Sequence, residues 1–156
     1  MTRLPPRVLI ASLGATLRGD DGFGPRLLAR LAPKLPPGVR AHDFGTHGLA
    51  LVQALYERFD ALLLLDACSR GGRPGTVYLL HPEAAGLEVA PGAHLTGIGH
   101  IVALAAALQV LPPAVWLVGC EPARTDGYTL RLSRPVRRAL PGAERLVTQL
   151  VATLQT

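Results

Sequence analysis

The pattern that most constrains this chain is a pair of adjacent acids, Asp20 and Asp21, placed between a strand-like run and a helical one. Residues 8–13 are apolar, as in a buried strand, and a helical pattern begins near Pro25. In open α/β sheets, ligands bind where a parallel strand turns into a helix. Two carboxylates at such a turn are costly unless a metal, a cationic side chain or a proton neutralises them. This segment therefore indicates both the fold class and the position of the functional site.

The composition is typical of one folded domain, which we expect to span residues 1–156. Apolar residues make up 49% of the chain and the mean hydropathy is +0.29, which argues against disorder. No apolar stretch reaches the roughly 18 residues of a membrane span, and residues 1–6 show no secretory signal. Cys68 and Cys120 form no CxxC pair, so we expect a cytoplasmic protein without a disulfide framework or a thiolate zinc site.

The charge of the chain is basic, with a formal net charge of +5 that comes almost wholly from arginine. The arginines are scattered along the sequence, and aromatic residues account for only 4%, too few for a base-stacking platform. We therefore interpret the charge as surface composition and expect no nucleic-acid partner.

The order of apolar runs and helical patterns predicts an α/β sandwich, because strand-like and helical segments alternate. We predict strands at residues 8–13, 39–43, 61–65, 76–80 and 114–119. We predict helices beginning near Pro25, over residues 49–59 and 97–110, and beginning near Ser133 as N-cap, with Pro141 and Gly142 kinking or splitting the last one.

The link between the third and fourth strands predicts a change of strand direction. Only about nine residues, rich in glycine and proline, separate Asp66 from Thr76. A parallel crossover needs a dozen or more residues, usually including a helix. The fourth strand should therefore run antiparallel in a mixed sheet.

Acidic residues follow four of the predicted strands: Asp20 and Asp21, Asp43, Asp66 and Glu121. The carboxyl ends of parallel strands share one edge of a sheet, so these acids should lie near one another. His94 comes just before a predicted helix, whose positive end favours a neutral imidazole that can bind a metal. Two carboxylates and one imidazole suit a divalent ion such as zinc, nickel or manganese.

The same segments resemble, in the same order, the motifs of the nickel–iron hydrogenase maturation endopeptidases. The similar segments are Gly14-x-x-Leu17-x-x-Asp20-Asp21-Gly22-x-Gly24, Asp43-Phe44-Gly45-Thr46-x-Gly48-Leu49, Leu65-Asp66-Ala67, Pro74-Gly75-Thr76-Val77, His94-x-x-Gly97-Ile98 and Leu117-Val118-Gly119-Cys120-Glu121-Pro122. Each motif is modest by itself, whereas six in the right order over nearly the whole chain are specific.

The resemblance implies a three-layer α/β/α sandwich of the phosphorylase/hydrolase-like type, with a five-stranded mixed sheet whose fourth strand is antiparallel. It implies an endopeptidase that removes a C-terminal extension from a nickel-loaded hydrogenase large-subunit precursor, with the nickel as recognition signal. The family's catalytic and metal-holding residues fall on Asp21, Asp66 and His94. The metal would be the nickel of the substrate or another divalent ion, with no organic cofactor, and we expect a monomer.

Two departures from the family pattern keep a second function open. Ala15 stands where the family usually has asparagine, and Phe44 where it usually has a second glycine. The alternative is a nickel-checking chaperone, or a degenerate relative, that binds the large subunit without cutting it. A phosphate-binding flavodoxin-like domain has only Gly22-x-Gly24 in its favour, since no P-loop lysine follows and the two acids would repel a phosphate.

The remaining candidates have a structural interpretation beside the functional one. We interpret Asp20 as the structural member of the pair, capping its turn, and Asp43 as an Asx-turn residue. Glu121 either lines the substrate groove or is a loop charge. His47 is a candidate for the pocket wall, whereas His42, His81 and His100 indicate surface or packing positions, and neither cysteine is placed as a nucleophile.

Overall fold

A single five-stranded sheet organises the protein. A computed structural model describes residues 3–82 and 97–156. The strands are β1 (Val8–Ser12), β2 (Val39–Asp43), β3 (Ala61–Ala67), β4 (Val77–Leu80) and β5 (Ala114–Cys120), in the order β2-β1-β3-β5-β4. Strands β1, β2, β3 and β5 are mutually parallel, and β4 is antiparallel to β5. The mixed sheet and the direction of the fourth strand, both predicted from the short link, are confirmed.

Helices cover both faces of the sheet, as the sandwich prediction requires. They are α1 (Phe23–Leu31), preceded by the 3₁₀ turn Gly19–Gly22, then α2 (Gly48–Ala54), α3 (Ile98–Ala107) and α4 (Arg134–Leu154). Helices α1 and α4 pack on one face, and α2 and α3 on the other. In the described ranges, no helix combines the length and the apolar character needed to cross a bilayer.

Strand β3 lies at the centre of the fold because both of its faces are covered. Ala61, Leu63 and Leu65 pack towards α1 and α4, while Leu62 and Leu64 pack towards α2 and α3. All five are almost fully buried. A continuous apolar run is the pattern of a strand covered on both sides, which explains why this segment could be predicted from sequence.

The last helix differs from the prediction, because Pro141 and Gly142 do not split it. Helix α4 continues without a break from Arg134 to Leu154, with Pro141 inside it. Pro141 lies on the exposed side of the helix, next to the buried Leu140. The carbonyl that loses its hydrogen bond to a proline therefore faces water, which limits the cost of the missing bond.

Gly24 allows α1 to approach the sheet more closely than any other residue type would. A Cβ at this position would overlap the carbonyl oxygen of Leu65 and lie 2.8 Å from that of Leu13. Both oxygens belong to backbone at the carboxyl ends of neighbouring strands, so neither can move aside cheaply. The second glycine of the Gly22-x-Gly24 pattern thus serves helix–strand packing, one of the roles that such glycines have in α/β folds.

We predict that Gly24→Ala lowers the free energy of unfolding by about 3 kcal/mol, because the added methyl group overpacks the junction of α1 with β1 and β3. The matched control is Gly142→Ala in α4, where the nearest contact of a new Cβ is the Arg145 guanidinium at 3.7 Å. That change should stabilise the protein by about 0.5–1 kcal/mol. Urea unfolding of the two variants measures both values, and equal stability for both would contradict the packing argument.

Candidate active site

The loops that follow β1, β2 and β3 are joined by backbone hydrogen bonds at the carboxyl end of the sheet. The N–H of Leu13 donates to the carbonyl of Leu65 (3.0 Å), and the N–H of Gly14 donates to the carbonyl of Gly45 (2.9 Å). Gly14 has a φ of +119°, and a Cβ there would overlap the carbonyl oxygen of Asp21 and lie 3.3 Å from Oδ1 of Asp66. Gly14 therefore lets the backbone of Asp21, in the turn before α1, lie close to the Asp66 side chain near the end of β3.

The Asp21 carboxylate is oriented by the backbone of its own loop. Its Oδ2 accepts a hydrogen bond of 2.7 Å from the N–H of Ala15. Because the donor is a backbone group, this bond is available whatever side chain residue 15 carries. The replacement of the usual asparagine by Ala15 therefore leaves this anchor of Asp21 intact.

The Asp66 carboxylate lies in an electrostatically unfavourable position. Its Oδ1 is buried and has no hydrogen-bond partner in residues 3–82 and 97–156. Burial raises the pKa of Asp66 well above its usual value, and the negative charge of Asp21 raises it further, while a hydrogen bond from the Ala67 backbone opposes both. An unpaired oxygen beside a second carboxylate favours a proton or a cation at this position.

Asp20 points away from Asp21 and serves the fold. It is fully buried. Its carboxylate accepts hydrogen bonds from the N–H groups of Ala123 (2.8 Å), Arg124 (3.0 Å) and Ser133 (2.7 Å), and from the Ser133 hydroxyl (2.7 Å). The structural role predicted for Asp20 is thus seen, but the predicted cap of its own turn is wrong, because the side chain ties down residues 123–133 instead. The Ser133 hydroxyl is likewise used on Asp20 and does not cap α4.

Asp43 and Phe44 support the neighbouring loop. One oxygen of Asp43 accepts hydrogen bonds of 2.9 Å from the Ser12 hydroxyl and from the N–H of Gly45, which is the predicted Asx turn. Phe44 is buried in the core cluster under α2 and α3. Its presence in place of a glycine therefore fills the core and leaves the positions of Asp21 and Asp66 unaffected.

Glu121 holds the loop between β3 and β4, a role that the sequence alternatives did not include. Its carboxylate accepts hydrogen bonds of 2.8 Å from the N–H of Arg70 and from the Tyr78 hydroxyl. These donors, the Arg70 N–H first, together with the N–H groups of Gly71 and Gly72, lower the pKa of Glu121 against the opposing effect of burial. In the sequence, the glycine-rich segment between the third and fourth strands is the signal that could have suggested this group of N–H donors.

A cleft of about 300 Å³ opens beside Asp21. Its lining residues come from the loops after β1, β3 and β5, and they are Arg18, Asp21, Ala67, Ser69, Pro122 and Thr125. The cleft thus lies at the sheet edge where the acids were expected, and its walls offer a cation, a carboxylate and two hydroxyl groups.

The histidines and cysteines contribute less to this site. His94, the predicted third ligand, lies outside the described residues. His47 is exposed and does not line the cleft, and His81 lies near the Trp116 ring, with 3.7 Å between ring centroids. Both cysteines are buried thiols, and burial raises the pKa of Cys120 to about 12. Thiols held protonated are poor nucleophiles, in agreement with the sequence interpretation.

The comparison with known proteins connects this site to a family. A sequence profile of the hydrogenase maturation proteases (HycI) matches residues 26–150, well over half of the chain. The chain belongs to the hydrogenase maturation protease family. Membership makes it a peptidase, and it confirms the resemblance seen in the sequence motifs. Asp66 falls inside the matched region, whereas Asp21 precedes it. The contacts at Gly14 therefore place Asp21 near Asp66 without help from the family match.

Individual relatives cover nearly the whole chain. The hydrogenase expression/formation protein HupM of Azotobacter chroococcum is 34% identical over 158 residues, which is 97% of this chain and 75% of that protein. The corresponding protein HupD of Rhodobacter capsulatus is 35% identical over 131 residues, which is 80% of this chain and 61% of that protein.

Solved structures of the family share the fold. The hydrogenase maturating endopeptidase HybD from Escherichia coli is 25% identical, with a TM-score of 0.81 over 94% of this chain and 93% of that one. The hydrogenase 2 maturation peptidase of a Thaumarchaeota archaeon is 32% identical, with a TM-score of 0.69 over 93% of this chain and 97% of that one. The α/β fold with its mixed sheet is therefore the fold of the maturation endopeptidases.

We predict that Asp66→Asn raises the melting temperature of the metal-free protein at pH 7 and that the gain shrinks as the pH falls to about 4. The pKa of Asp66 is raised in the folded state, so the folded protein holds a proton that the unfolded chain has lost above about pH 4. Stability therefore falls as the pH rises through this window, and asparagine removes that penalty.

Thermal unfolding in the presence of a chelator, followed by circular dichroism from pH 4 to pH 8, measures the difference between the variant and the wild type. A gain that is largest at pH 4, or a loss at pH 7, would contradict the electrostatic description of Asp66.

Proposed function

We propose that this protein is an endopeptidase that removes a C-terminal extension from a hydrogenase large-subunit precursor. We also propose that Asp21 and Asp66 recognise the nickel carried by that precursor by binding it. The observation that carries the proposal is the buried Asp66 oxygen, which lacks a partner among the described residues, lies next to Gly14 close to the Asp21 backbone, and is subject to the negative charge of Asp21. Family membership supplies the reaction class and the type of partner.

The donor set suits a divalent cation in its chemistry. Carboxylate oxygens are acceptable ligands for nickel, zinc and manganese, and a cation beside the two acids would oppose both the burial and the repulsion that raise the pKa of Asp66. Asp21 and Asp66 supply two ligands, and in the described part of the chain no third histidine, cysteine or acid joins them. We propose His94 as the third ligand on the strength of its motif, His94-x-x-Gly97-Ile98.

The nickel enters this scheme as part of the substrate. A proton and a metal ion compete for the same Asp66 oxygen, because metal ligands must be deprotonated. A precursor without nickel would then meet a protonated Asp66, and a loaded precursor would displace that proton. This competition is a physical basis for distinguishing the two forms of the precursor.

The side chains of the chain itself perform the remaining tasks. Asp21 is held in place by the Ala15 N–H, so it can fix the position of a ligand. Asp66, whose pKa is raised by burial and by the charge of Asp21, is the acid of the pair that more readily takes up a proton. A divalent metal at this pair would polarise the scissile carbonyl as a Lewis acid. The adjoining cleft is the place for the peptide beside the scissile bond.

We predict that Asp21→Asn and Asp66→Asn each lower kcat/KM for the nickel-loaded precursor by at least about 100-fold, since each change removes an acid that must bind a cation or move a proton. The matched control is Asp60→Asn, because Asp60 precedes β3 at its opposite end and its carboxylate accepts a hydrogen bond from the Arg7 N–H. That variant should process the precursor within about twofold of the wild type.

The assay follows loss of the C-terminal peptide by intact mass, with nickel-loaded and nickel-free precursor in parallel. Cleavage only of the loaded form supports both parts of the proposal. Equal cleavage of both forms would contradict nickel recognition. Binding of the precursor without any change of mass would favour the chaperone alternative.

A further inference from the structure

Two loop segments beside the site form a short two-stranded ladder. The N–H of Thr129 donates to the carbonyl of Leu17 (2.8 Å), and the N–H of Gly19 donates to the carbonyl of Thr129 (3.0 Å). Arg18 pairs with Thr129 in a parallel bridge. In this register Leu17 lies opposite Tyr128, and Tyr128 and Leu130 flank Thr129 along the chain.

These three neighbours of the bridge have large, exposed side chains. Leu17 is 57% exposed, Tyr128 is 92% exposed and Leu130 is 61% exposed. We refer to these three residues as the apolar platform. Large apolar side chains exposed this close together are costly in water and are typical of a protein-binding site. Tyrosine is also enriched among the residues that dominate binding energy at interfaces.

The apolar platform is fixed relative to the active site. Asp20 holds Ala123, Arg124 and Ser133 through its buried carboxylate, and its N–H donates to the carbonyl of Arg124 (2.8 Å). Asp21 is the next residue in the chain, and Arg18 of the ladder lines the cleft together with Asp21. The platform therefore adjoins the cleft through Arg18.

Arginines outnumber acids around the apolar platform, because residues 17–19 and 123–131 contain three arginines and one acid, Asp126. Arg18 and Arg131 belong to the two segments of the ladder, and Arg124 lies in the loop that Asp20 holds. None of the three forms an ion pair within residues 3–82 and 97–156. Charge complementarity therefore favours a partner segment that carries acidic residues beside apolar ones.

We propose that the apolar platform docks an extended segment of the large-subunit precursor, apolar with flanking acidic residues, that adjoins the scissile bond. The proposal rests on the proposed function, because it names the surface through which the same substrate is held. Docking at the platform would deliver the scissile bond to Asp21 and Asp66 through the cleft.

The test compares two triple variants with matched residue types. Leu17→Ser with Tyr128→Ser and Leu130→Ser removes the platform. Leu4→Ser with Tyr56→Ser and Leu108→Ser removes an exposed tyrosine and two exposed leucines near the amino ends of the strands. We expect the platform variant to raise KM for the nickel-loaded precursor at least about tenfold with kcat within about twofold, and the control variant to leave both unchanged.

The single substitution Tyr128→Glu provides a second measure, because its side chain is almost fully exposed and the change should leave folding intact. It should also raise KM, and a circular dichroism melt confirms that each variant is folded.

Arg124→Glu with Arg131→Glu should raise KM and weaken its dependence on salt, whereas Arg137→Glu with Arg138→Glu on α4 should do neither.

Binding measured by calorimetry separates this proposal from the proposed function. If the wild type binds the precursor without cutting it, the proposed function fails, and a tenfold weaker affinity of the platform variant still supports docking. An unchanged KM and affinity in the platform variant would overturn the proposal. Self-association of the wild type that the platform variant loses would also overturn it, in favour of a second copy of this chain as the occupant.

Discussion

The hydrogen bond from the Leu13 N–H to the Leu65 carbonyl, 3.0 Å long, joins the ends of the two central parallel strands, and the site depends on it. It brings the loop after β1 against the loop after β3, so that only Gly14 separates the backbone of Asp21 from the carboxylate of Asp66. The same junction requires Gly24 in α1, because a larger residue would overlap the Leu65 carbonyl. The same close packing of the backbone therefore stabilises the fold and places the two acids near each other, which is electrostatically unfavourable.

The adjacent acids Asp20 and Asp21 divide two tasks that a single carboxylate could not perform. Asp20 uses four hydrogen bonds to hold residues 123–133 and is thereby fully committed to structure. Asp21 accepts a hydrogen bond from the Ala15 N–H at one oxygen, and it lines the cleft. Glu121 performs a third structural task on the loop after β3. Buried, hydrogen-bonded acids thus surround a pair that is left incompletely satisfied, which is typical of functional sites.

Much of the fold could be predicted because local patterns determine it. The apolar run of β3 and the nine-residue link to β4 depend on neighbouring residues alone. The uninterrupted α4 could not be predicted, since the tolerance of Pro141 depends on which side of the helix faces water. The convergence of Asp21 and Asp66 followed from strand order, whereas the partners of Asp20 and Glu121 are distant in sequence, and no local pattern encodes them. The role of His94 remains a prediction from its motif.

The central claim is that Asp21 and Asp66 form one electrostatic unit that takes up either a proton or a cation. A carboxyl ¹³C NMR titration of the metal-free protein tests it most directly, with wild type and Asp21→Asn compared. The account predicts that Asp66 titrates well above the usual pKa of an aspartate, about 3.9, and moves towards it when Asp21 loses its charge. It also predicts that added Ni²⁺ displaces the Asp66 proton. An Asp66 that titrates at the usual pKa in both proteins, and does not respond to Ni²⁺, would contradict the account.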